Sequence, residues 1–204
     1  MWHRCALIGF LLFVSGAGSA QVPLAAGEVL VRLETPFGNI ELAIDAVHAP
    51  NTAANFLKYV DGGFYNGGRF HRATRPGNYT PSPPNRPMME IIQGGINPER
   101  NSDKFPAIPL ERTNKTGLKH VVGTVSMARG GPDTATSDFF ICFDDQPSLD
   151  FGGLRFDDGQ GAAAFGRVVS GLEVARKIQQ QPVEAQRLNP PVPILQAARV
   201  RGQI

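Results

Sequence analysis

Apolar residues recur with a period of two along most of this chain and switch to a helical period twice. Residues 29–34 (Val-Leu-Val-Arg-Leu-Glu) read as a strand, Thr35-Pro36-Phe37-Gly38 as a turn, and residues 39–44 as the strand that pairs back in a hairpin. The period changes over 48–60, where Pro50 suits a first helical turn and Ala54, Leu57 and Val60 share one face. Asp61-Gly62-Gly63 stops that helix. Short strands are predicted at 68–71, 89–93, 123–127, 138–143 and 163–168, a second helix at 171–180, and a closing strand at 194–201. Many short strands with two separate helices predict a mainly β chain, a barrel or sandwich with helical caps. Two inserts interrupt the pattern. Residues 74–87 hold Pro76, Pro81, Pro83, Pro84 and Pro87 and read as an extended surface loop. Residues 150–160 hold Gly152-Gly153 and Asp157-Asp158-Gly159.

The first twenty residues follow a different rule. Arg4 precedes an apolar run at 5–14, and Gly18-Ser19-Ala20 supplies small residues for cleavage, which is the pattern of a secretory signal peptide too short to span a bilayer. The expected organisation is a leader at 1–20, a linker at 21–27 and one domain over 28–203, in the periplasm or outside the cell. The formal charge of +2 falls by one when Arg4 is removed, a balance that argues against a nucleic-acid or acidic-membrane surface. The same removal leaves Cys142 alone, so no intramolecular disulfide can form, and its apolar strand makes it inert core.

Three segments stand out: Phe70-His71-Arg72; Ile91-Ile92-Gln93-Gly94-Gly95; and Ser126-Met127-Ala128-Arg129 with Ser137-Asp138-Phe139-Phe140-Ile141. Ala164-Phe165-Gly166-Arg167-Val168 follows them. Alternation puts Asp138, Phe140 and Cys142 on one face and Phe139, Ile141 and Phe143 on the other, and separates Ile91 and Gln93 from Ile92. It also turns His71 away from Arg72, as a buried, hydrogen-bonded structural histidine. Taken in order, the segments resemble the cyclophilin family of peptidyl-prolyl cis-trans isomerases over about 29–200. The resemblance implies a closed eight-stranded antiparallel β-barrel capped by two α-helices. Its outer face would carry Arg72, Gln93, Ile91 and Phe140 as a proline groove.

The roles implied by the resemblance are specific. Arg72 and Gln93 would be catalytic, the arginine donating to the proline nitrogen when the amide twists and the glutamine holding the guanidinium. Phe140 would floor the proline pocket beside Ile91, Leu149 and Met89. Ala128 and Arg129 would pair with substrate backbone, and Asp138 would border the site. Proline-containing peptides and unfolded proteins are the expected partners of a monomer that uses no cofactor and no metal. The sequence also departs from the family. Glu90 stands where phenylalanine is usual, Ile91 for methionine, Arg129 for asparagine, Asp138 for glutamine, Ser148 for tryptophan and Ala162 for histidine. These changes trim one wall and imply altered peptide preference and weak cyclosporin binding. An anion at Asp138 would pair with Arg72 or Arg129, or repel acidic peptides. His48 and His120 lie near predicted element ends with no obvious partner. Gly94-Gly95 would serve a tight bend or a positive φ. Two other readings remain: a non-catalytic proline-peptide module or chaperone using the same groove, and a hydrolase built on Asp144-Asp145 or Asp157-Asp158, which read better as solvated turns.

Overall fold

A computed structural model of the chain describes residues 23–79 and 85–200. The predicted leader and the closing end of the last predicted strand lie outside those residues. So does the middle of the proline-rich insert. The first hairpin pairs β1 (Glu28–Thr35) with β2 (Gly38–Asp45) in full register. Thr35 closes its turn: the hydroxyl donates to the Gly38 carbonyl at 2.8 Å and accepts the Phe37 N–H at 3.2 Å. Helix α1 (Pro50–Asp61) has proline in its first turn and no side-chain cap of its own. Its orphan N–H groups are satisfied from far along the chain. The Glu111 carboxylate accepts from the backbone of Asn51 and Thr52 and from the Thr52 hydroxyl.

The remaining elements are β3 (Gly68–Thr74), β4 (Ile91–Gly95), a four-residue helix α2 (Thr113–Thr116), β5 (Thr124–Met127), β6 (Phe139–Cys142), β7 (Ala163–Ser170), α3 (Leu172–Gln179), β8 (Val183–Glu184), β9 (Arg187–Ile194) and β10 (Gln196–Arg199), with short 3-10 turns at Pro98–Asp103 and Pro147–Leu149. All strand pairs are antiparallel, in the order β10-β1-β2-β7-β5-β6-β4-β3-β9-β8. The expected closed barrel of eight strands is therefore corrected: there are ten strands among the described residues, and no ladder joins the two ends of the sheet. The chain itself spans that gap, because β9 runs into β10 through Leu195, whose N–H donates to the Glu34 carbonyl of β1 at 2.8 Å. Pro190, Pro191 and Pro193 hid β9 from a reading of the sequence. They are tolerated because β9 lies next to the end of the sheet, with only the two-residue β8 beyond it. Both predicted long helices are present, and α2 is additional.

The core is aromatic. Phe56 of α1 packs against Tyr65, Phe139 and Phe165 at ring distances of 5.1–5.5 Å. Phe139, Ile141 and Ile92 belong to this core, whereas Phe140, Cys142 and Ile91 form a separate buried patch with Met89, Leu149 and Ala162. The alternation along β6 and β4 thus sorts the two faces as the sequence predicts. Burial pushes the Cys142 thiol far up, which keeps it protonated and inert.

Candidate active site

One irregularity in β3 determines what the site contains. Phe70 pairs with Gly94 and Arg72 with Gln93, so His71 is an extra residue in the ladder, a β-bulge. Strict alternation would put Phe70 and Arg72 on one face. The bulge instead lets Phe70 enter the core with no exposed surface while Arg72 stays on the outer face. It also corrects the expectation for His71, whose side chain is 35% exposed with Nε2 3.6 Å from Asp138 Oδ2. Burial pushes the His71 pKa below its ordinary value, against the opposing pull of Asp138.

From Arg72 the register runs straight across the sheet: Arg72 opposite Gln93, Gln93 opposite Phe140, Phe140 opposite Ser126. Cross-strand partners share a face, so guanidinium, amide and aromatic ring lie in one row. Arg72 Nη1 donates to Gln93 Oε1 at 3.2 Å. A second amide, Gln186 just before β9, accepts from Nε at 3.0 Å and from Nη2 at 2.6 Å. Sequence reading missed Gln186, which is 114 residues away from Arg72. Its only available signal would have been the unrecognised strand β9. Burial, then the nearby Arg155 guanidinium, lowers the Arg72 pKa from its ordinary value, but an arginine so placed stays protonated. Three of its five N–H groups are engaged, leaving one each on Nη1 and Nη2 for a ligand. Gln186→Leu should therefore free the guanidinium to swing. We expect kcat on a proline peptide to fall about tenfold, roughly one charged hydrogen bond, with KM little changed. Equal losses in kcat and 1/KM would point to a structural role instead.

The apolar patch beside this row is deeply set. Phe140 is 3% exposed, and Ile91, Leu149 and Ala162 have no exposed surface. Ala128 and Phe156 pack against it. Behind Phe140 lies His120, whose ring is stacked on it at 6.1 Å and 16°. Far from lacking a partner, His120 is fixed at both nitrogens, Nδ1 to Asp150 Oδ1 at 2.8 Å and Nε2 to Ser126 Oγ at 2.9 Å. Burial alone would raise the Asp150 carboxyl, but the bonds and charge of His120 and Lys119 outweigh it and hold it below 3.8. Ser126 has no exposed surface, so this Ser-His-Asp set braces the aromatic ring and presents no nucleophile to solvent. His48 is likewise partnered, with Asp45 Oδ2 at 2.8 Å.

The second insert bonds both to the turn at Ser148 and to the first insert. Arg155 N–H bonds to the Ser148 carbonyl at 3.0 Å, and its guanidinium donates to the Tyr79 hydroxyl of the first insert at 2.7 Å. Arg86 of the first insert pairs with Asp157 of the second at 2.7 Å. Arg129 does not reach Asp138. It makes a fork with both Asp158 oxygens at 2.8 Å and stacks over the Phe156 ring at 3.8 Å. Asp157 and Asp158 are thus spent on arginines, and Asp145 and Asp144 accept the backbone N–H groups of Val122 and Asp145 as exposed turn residues, which removes the basis of the hydrolase reading. Neither Gly94 nor Gly95 has a positive φ; both sit close to side chains, and a Cβ on Gly95 would lie 2.5 Å from Asp138 Oδ1. Among the described residues no group of three His, Cys, Asp or Glu side chains is placed to hold a metal ion.

Comparison with known proteins bears on the family and the fold. The family model described as cyclophilin type peptidyl-prolyl cis-trans isomerase matches residues 30–199. Peptidyl-prolyl cis-trans isomerase A of Dickeya dadantii is 42% identical over 76% of this chain and 73% of its own length. A peptidyl-prolyl cis-trans isomerase of Acinetobacter baylyi is 36% identical over 83% and 81%. Among solved structures, a Cryptosporidium parvum cyclophilin superposes with a TM-score of 0.68 at 22% identity, covering 86% of this chain and 99% of that one, a likeness of fold. With the ordered motifs, the outward row of Arg72, Gln93 and Phe140 and these matches in hand, the chain belongs to the cyclophilin-type peptidyl-prolyl cis-trans isomerase family.

Proposed function

We propose that this protein accelerates rotation about X-Pro bonds by Arg72-assisted stabilisation of the twisted amide. The observation that carries the reading is the convergence of Arg72 and Gln93 beside Phe140. An X-Pro amide resists rotation by about 18–20 kcal/mol because twisting destroys its resonance. The twisted amide leaves a lone pair on the proline nitrogen. A guanidinium N–H can bond that nitrogen only then, so the interaction favours the transition state over both ground states. Gln93 and Gln186 hold the donor in place, and the patch around Phe140 receives the pyrrolidine ring. Ala128 and Arg129 offer main-chain groups to the substrate. A Cryptosporidium parvum cyclophilin of the same fold was solved in the presence of the dipeptide Ala-Pro.

The substrates we propose are unfolded or newly exported chains in the periplasm or outside the cell, on the strength of the apolar 5–14 run after Arg4. Uncatalysed exchange takes about tens to hundreds of seconds, slow enough to delay their folding. The test is exchange or refolding kinetics on an X-Pro peptide with the wild-type chain. No proton is transferred in this scheme, and His71, lowered from 6.5, is neutral above neutrality. The rate should therefore be flat from about pH 7 to 9. A bell-shaped profile in that range would reject the mechanism, and binding without any rate enhancement would favour the non-catalytic module.

A further inference from the structure

A cavity of about 570 Å³ opens beside Arg72 toward β9. Its walls carry Arg69 of β3, Lys104 after the 98–103 turn and Arg187 of β9, with Asp138 the one carboxylate. Of the described arginines, every one except Arg69 and Arg187 has a hydrogen-bonded or ion-paired side chain. The two exceptions both line this one cavity, and Lys104 is unpartnered as well. Arg187 also stands directly opposite Arg72 in the ladder. Asp138, the one carboxylate among them, faces His71 and leaves these cations without an acidic partner. The whole chain carries a formal charge of only +2, so this field is local.

We infer that the cavity takes the carboxylate side chain of an acidic residue close to the proline in the bound polypeptide. The inference rests on the isomerase reading, since Arg72 both lines the cavity and faces the proline. An acid seated there gains charged hydrogen bonds from Arg69, Arg187 and Lys104, none of which has a partner of its own. Asp138, which alone would repel acidic peptides, is outnumbered by the surrounding cations.

The test uses exchange NMR on short X-Pro peptides with Glu, Ala or Lys placed in turn at each position flanking the proline. At one position kcat/KM for Glu should exceed that for Lys by about tenfold at low salt, shrinking as ionic strength rises toward about 0.5 M. The double charge reversal Arg69→Glu with Arg187→Glu should invert that order. Equal rates for Glu and Lys peptides at every position in the wild type would overturn the acid subsite while leaving the isomerase reading intact. No turnover of any peptide by the wild type would overturn the isomerase reading itself, and the subsite with it. An unchanged Glu preference in a double variant that still turns over the Ala peptide would also overturn the subsite.

Discussion

Replacing Arg72 with alanine should lower kcat/KM on a proline peptide by about ten- to a hundredfold while leaving the fold intact. The magnitude follows from one interaction. A charged hydrogen bond contributes about 1.5–3 kcal/mol, and about 1.4 kcal/mol is tenfold in rate. The bond exists only when the proline nitrogen recovers its lone pair, so kcat should carry most of the loss. Stability should suffer little, because the partners left behind, Gln93 and Gln186, are both partly open to solvent. Arg72→Lys should rescue no more than a few-fold. A single ammonium can replace the charge, but it cannot hold Gln93 and Gln186 at once and still present a donor to the groove. Full turnover by a folded Arg72→Ala protein would remove the proposed chemistry.

Arg129→Ala should cost stability more than turnover. The Arg129 side chain is 1% exposed and serves three partners from one position. Its fork holds Asp158, and those bonds keep that carboxyl below its ordinary pKa. Its Nε donates to the carbonyl of buried Gly161 at 2.6 Å, and its plane covers Phe156. Truncation strands a carbonyl and uncovers an aromatic ring, which together cost about 2–4 kcal/mol. At about 2–4 °C per kcal/mol for a chain of this size, Tm should drop by about 5–15 °C. Phe156 packs against the Phe140 patch, so its release should raise KM while kcat, carried by Arg72, holds. Calorimetry and peptide kinetics on the same preparation check both halves. A Tm within about 2 °C of wild type would show that the insert is anchored elsewhere.

These two residues show how differently parts of the site could be read from sequence. Arg72 and Gln93 were legible because both sit within short motifs on adjacent strands, where local pattern and register agree. Arg129 was offered as one of two partners for Asp138, and the structure pairs it elsewhere. Its real partner, Asp158, lies 29 residues on in an insert whose path no periodicity describes. From that insert Phe156 packs against the patch that holds Ala162, and the Arg155 N–H bonds the Ser148 carbonyl. Gln186 and the cations at Arg69, Lys104 and Arg187 went unseen for a related reason. Prolines in β9 mask it as a strand, so nothing announced that its residues return beside β3.

Period-two alternation by itself determined which side chains of β4 and β6 share a face, because that sorting is a property of the extended backbone, and the resemblance assigned which face is outer. The order of the motifs determined the family. Only the tertiary structure decided that β3 bulges at His71, which turns Arg72 outward after a buried Phe70. It alone decided that β9 brings Gln186 against the guanidinium and that two inserts meet over the patch. Bulges and long-range contacts are set by how neighbouring strands and loops fit together, and a local pattern of apolar and polar residues carries no record of that fit.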